Sequence, residues 1–129
     1  VLRRITRRVL ETWRTRKIKK EHELYLEEHG IHPVQRLREH TERVDPEWSA
    51  EIWRTIEELH KKNIGALIYK PDKEDLQRIE RIARELHERI PKRIDEKEWL
   101  AIVAGLQRYE EPYNALGKKL MELWRMAKK

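Results

Sequence analysis

Apolar residues three and four positions apart recur through most of this chain, and that spacing constrains the fold more than any other feature. Leu76, Ile79, Ala83, Leu86 and Ile90 make one seam, spaced 3, 4, 3 and 4. Trp48, Ile52, Ile56 and Leu59 make another, and Tyr113, Leu116, Leu120, Leu123 and Trp124 a third. At about 100° per residue, each set gathers on one side of a helix. The expected fold is all-α: a five- or six-helix irregular bundle, one helical domain over residues 1–129. A chain of this length buries roughly two-thirds of its unfolded surface, enough to hold itself by packing alone.

Local start and stop signals divide the pattern. A first helix is expected from about residue 2 to Glu28, stopping at Gly30, where a left-handed residue costs glycine little. His32-Pro33 opens a short helix marked by Val34, Leu37, Thr41 and Val44, with proline where a missing N–H is no loss. Asp45-Pro46-Glu47 caps and opens the next, which breaks at Asn63 or Gly65 unless Ile64, Leu67 and Ile68 carry it on to Tyr69. Pro71-Asp72 begins another, and Pro91 ends it. Asp95 and Glu98 have the spacing of a reciprocal capping box, with Ile94 placed to staple onto Trp99. The run WLAIVAGL, Trp99–Leu106, is apolar on every side and predicts a central buried helix near 96–110. Gly105 within it costs about 1 kcal/mol against alanine unless a close helix approach compensates. Pro112 opens or kinks the last helix.

Charge is distributed unevenly. Residues 1–20 hold nine Lys or Arg against one acid, a net of +8, while the remaining residues sum to −2 within the overall +6. Arg3, Arg4, Arg7, Arg8 and Arg14 form a basic face, and Leu2, Ile5, Val9 and Trp13 form an apolar stripe in the same helix. Such a helix suits a polyanion, an acidic surface or a groove on a partner. With no base-stacking aromatics between the arginines, nucleic-acid binding is expected to be weak and non-specific. The stripe offers a route to a homo-oligomer; otherwise it packs on the domain.

Several functions find no carrier. Cysteine is absent, so thiolate metal sites and cysteine nucleophiles are excluded. Four scattered glycines make no phosphate loop, and Ser49 is the only serine. Glu57-x-x-His60 has the spacing of half a di-iron carboxylate site, but no second Glu-x-x-His exists to complete it. His29 and His32 flank a glycine turn without a carboxylate or thiolate to make a metal site. No catalytic, metal or cofactor-binding residue is expected. The longest apolar run is eight residues, far below the roughly 18 of a membrane span. VLRRITRRVL does not sustain a signal-peptide core. The expectation is a soluble chain, cytoplasmic if expressed in a cell.

Two stretches resemble the catalytic domain of Ras guanine-nucleotide exchange factors. HPVQRLREHTERV, residues 32–44, is similar to its Pro-Val-x-Arg-Leu helix start. LQRYEEPYNAL, residues 106–116, is similar to its Gln-x-Tyr…Pro-Tyr-x-Leu turn, with one residue fewer between Tyr109 and Pro112. The resemblance implies a fragment of an all-helical exchange domain about twice this long, and carries over no functional residue. The repeated caps, the charge-rich surface and these fragment-like turns also resemble computationally designed helical proteins. That second resemblance implies a de novo scaffold without natural activity, cofactor or required partner.

Overall fold

The structure, a computed structural model, describes residues 21–65 and 71–128, and among them every regular element is helical. A helical segment over 21–28 (α1) is followed by α2 (Pro33–Val44), α3 (Pro46–Ile64), α4 (Lys73–Arg89), a 3-10 turn (Pro91–Arg93), α5 (Glu96–Leu106) and α6 (Tyr113–Ala127). α2 packs on α3, α4 on α6, and α5 against both α2 and α6. No described helix is long and apolar enough to cross a membrane.

The caps fall where the sequence puts them. Gly30 closes α1 at φ 60, the left-handed conformation that favours glycine. His32 accepts from the Gln35 N–H and precedes Pro33 at the first helical position. Asp45 accepts from the backbone of Glu47 and Trp48, Asp72 from that of Asp75, and Asp95 from that of Lys97. α3 stops at Ile64, so the break is at Gly65; a continuation towards Tyr69 lies outside the described residues, as does most of the expected first helix.

The seams meet in one core containing Leu37, Ile52, Ile56, Leu59, Ile79, Ile82, Leu86, Trp99, Ile102, Leu106 and Leu120. Two details depart from the sequence pattern. Leu76, expected at the head of the α4 seam, is 49% exposed, while Asp75 beside it is 3% exposed. Asp75, buried in the first turn of α4, pairs with Lys62 at 3.2 Å, while the neighbouring Leu76 faces outward. The helix placed near 96–110 ends at Leu106, because residues 107–112 form turns leading to Pro112. Trp99, Ala101, Ile102, Val103 and Leu106 are fully buried, whereas Leu100 and Ala104 keep partial exposure.

Gly105 resolves its own cost. A Cβ there would lie 2.5 Å from Pro33 Cγ and 3.0 Å from Leu26 Cδ1. The missing side chain lets α1 and the start of α2 press onto α5, and an ion pair between Arg108 and Glu23 reinforces that junction.

Candidate functional site

The basic face expected at Arg3, Arg4, Arg7, Arg8 and Arg14, and the stripe Leu2, Ile5, Val9 and Trp13, lie outside the described residues. Within the described residues, one open surface runs along α2 and α3. Helical spacing puts Arg38 and Glu42 on one wall, and Ala50, Trp53, Arg54 and Glu57 on the other. They line an open groove of about 520 Å³ whose floor includes Ser49. Arg38 sits 4.8 Å over the Trp53 ring and bonds Glu57 at 2.9 Å, so its guanidinium is held by a π face and a carboxylate together.

Beneath the groove lies a closed polar network. Thr41 Oγ1 donates to the Arg38 carbonyl at 2.8 Å and accepts from Trp53 Nε1 at 3.0 Å. Its single proton is then committed, so the 2.8 Å contact with Ser49 is donated by serine. Thr41, Ser49 and Trp53 are all buried, and the network joins α2 to α3 and holds the indole in its pose at the groove wall.

A strip of rings lies along the later turns of α3 and the start of α6. His60 Nε2 lies 3.0 Å from Glu110, and Asn63 donates to the same carboxylate at 3.4 Å. The His60 and Tyr113 rings are 5.5 Å apart, Tyr113 meets Tyr109 edge-on at 6.0 Å, and the Tyr109 hydroxyl reaches His32 Nε2 at 3.0 Å. Burial pushes the Tyr113 phenol above its usual value; Arg38 opposes this, while Glu57, Glu110 and Tyr109 add to it. The two exchange-factor-like stretches are thus brought into contact through His32 and Tyr109.

The other histidines go to separate places. Glu57 and His60 turn to different partners, Arg38 and Glu110. His29 Nδ1 lies 2.9 Å from the Tyr25 carbonyl, with its ring stacked on Tyr25, while His32 serves as a cap. No group of three or more potential metal ligands forms among the described residues.

Sequence spacing missed the roles of three residues. Trp53 stands one place off the α3 seam, and its 4% exposure comes from Thr41 and Arg38 across the helix pair. Glu110 sits in a turn, where periodicity carries no information. Glu98 does not complete its capping box: its carboxylate reaches Arg36 Nε and His40 Nε2, each at 3.2 Å.

This surface thus combines an arginine held over a largely buried tryptophan with a separate strip of histidine and tyrosine rings. The chain matches no protein-family model, no curated protein and no solved structure.

Proposed function

We propose that this chain is a helical interaction module: a folded platform that engages nucleic acid or another acidic partner through its basic N-terminal segment. The observation that carries the reading is the separation of charge. Residues 1–20 hold +8, and the rest of the chain sums to −2. In the platform, several arginines are answered by acids, as in Arg36–Glu98, Arg38–Glu57, Arg78–Glu74 and Arg84–Glu80. The positive excess is therefore concentrated in the segment that leads into α1. Such a segment binds by releasing counterions, so its affinity falls steeply with salt and reads little sequence. In this reading the module is not an enzyme and needs no cofactor, and the buried residues of α5 serve as the central helix of the platform.

Fluorescence anisotropy with labelled duplex DNA and with a polyglutamate peptide tests this across a salt series. The expected result is weak binding that declines with salt and disappears when Arg3, Arg4, Arg7, Arg8 and Arg14 are all replaced by glutamine. Equal behaviour of that variant and the parent would remove the proposal.

A second reading, a de novo scaffold whose task is to fold, is favoured by the side-chain caps on four consecutive helices, α2 to α5. It stands second because the interior holds Thr41, Ser49 and His40 among its buried residues. A sequence chosen for packing alone is filled most simply with Leu, Ile, Val and Ala. Exchange activity towards a small GTPase, the third reading, would appear as faster release of fluorescent nucleotide; the module reading expects the intrinsic rate.

A further inference from the structure

A second concavity, of about 350 Å³, opens where the end of α2 meets the 3-10 turn and the first turn of α5. Its lining divides by chemistry. Ile90 is fully buried, and Val44 and Ile94 are half-buried, which gives one apolar side. His40 and Glu98 form the inner polar wall. Both Glu98 oxygens are already engaged, one by Arg36 and one by His40, so the only acid lining the space has its charge largely answered. At the mouth stand Arg43, from α2, and Arg93, from the 3-10 turn. Both are exposed, and neither forms an ion pair among the described residues, unlike Arg36, which pairs with Glu39 and Glu98.

We infer that this concavity is a binding site for a small carboxylate with a short branched aliphatic body. Two free guanidinium groups flanking one opening are matched by a carboxylate, which each can grip with two parallel N–H donors. On the apolar side Val44 and Ile94 offer accessible surface to the hydrocarbon, with Ile90 buried behind them. The volume lies at the small end of the roughly 300–1,000 Å³ range of small-molecule sites. A bare inorganic anion would leave that side unfilled, and a neutral molecule would leave both arginines without a counter-charge. The carboxylate can belong to a free acid or to the C-terminus of a peptide ending in an aliphatic residue.

The test is a titration of the full chain, followed residue by residue through its amide resonances. The probes are 4-methylpentanoate, the corresponding neutral amide, inorganic phosphate, and a short peptide ending in a free leucine carboxylate. Saturable shifts centred on residues 40–44 and 90–94 are expected with the acid, the peptide or both; the tighter of the two identifies the source. Arg43→Gln with Arg93→Gln should weaken binding at least tenfold, and Ile94→Ser should weaken it without changing charge. Arg43 and Arg93 are exposed, so the double variant keeps the fold. Absence of saturable shifts with both carboxylates, equal binding of the amide or of phosphate, or undiminished binding by the double variant would each overturn the assignment.

Discussion

The indole N–H of Trp53 donates to the hydroxyl of Thr41 at 3.0 Å, inside the α2–α3 interface. Thr41 is fully buried and holds three partners at once, so its oxygen cannot be removed without leaving Trp53 and Ser49 unsatisfied. Thr41→Val keeps the shape and should cost about 2 kcal/mol or more, because buried donors without acceptors pay their full desolvation. Thr41→Ser retains the oxygen, loses only a methyl group, and should cost about 1 kcal/mol. Urea unfolding of the two variants measures the difference; a valine variant as stable as the serine one would show that the network contributes nothing.

Gly105→Ala should destabilise the protein despite the better helix propensity of alanine. The propensity gain is about 1 kcal/mol. Against it stands a contact of 2.5 Å with the ring of Pro33, which has few ways to yield, and overpacking of this kind costs about 1–3 kcal/mol. A net loss of about 1 kcal/mol is expected in thermal unfolding. Combining the change with Pro33→Ala should recover part of it, because the two residues meet directly.

Helix existence, order and capping were legible because they depend on residues close together in sequence. Asp45, Asp72 and Asp95 cap as their positions predict, and the α3 seam is buried throughout. What was not legible depends on which helix comes to lie opposite. Leu76 has ideal spacing yet faces outward, and the buried position beside it goes to Asp75, which pairs with Lys62 from α3. Glu98 satisfies a local capping pattern, but Arg36 and His40 arrive from α2 and take its carboxylate. The strip from His32 to Glu110 joins residues up to 77 apart, a distance over which periodicity says nothing.

Val103→Asp should be among the most damaging single changes. Val103 has no exposed surface and packs where α5 meets the core. A carboxylate or neutral carboxyl there finds no ready partner, and the cost should reach several kcal/mol, a large share of the usual 5–15 kcal/mol of a folded domain. Circular dichroism should show loss of cooperative unfolding. An unchanged melting temperature would contradict the burial of this side chain.

Alkaline stability should report on Tyr113. Burial raises its folded pKa above the ordinary value of 10.0, so the unfolded chain loses the proton first. The stability it contributes is complete below the unfolded pKa and is lost as pH rises through the folded one. Tyr113→Phe should therefore flatten the fall of unfolding free energy on the alkaline side. It should not abolish it, because Tyr25 is raised as well, by burial and then by Asp95 and Glu98, against Arg36. Denaturation curves taken at increasing pH give the slopes; identical slopes for Tyr113→Phe and the parent would remove this residue from the linkage.

The role of Glu98 can be separated from that of a helix cap by asking which residue it is coupled to. A capping-box glutamate would answer to Asp95, the residue at the helix start. Here the carboxylate instead bridges Arg36 and His40, whose side chains are 32% and 9% exposed. Glu98→Ala leaves His40 without its acceptor and Arg36 with Glu39 alone, and should cost about 1–3 kcal/mol, towards the lower end because Arg36 keeps Glu39 and remains in reach of water. Glu98→Gln keeps an acceptor for one of them and should cost less. In a double-mutant cycle, Glu98→Ala with His40→Ala should show a coupling energy of about 0.5 kcal/mol or more, while Glu98→Ala with Asp95→Ala should be additive. The reverse pattern, coupling to Asp95 and none to His40, would return Glu98 to its local role and take away the inner wall of the proposed carboxylate site.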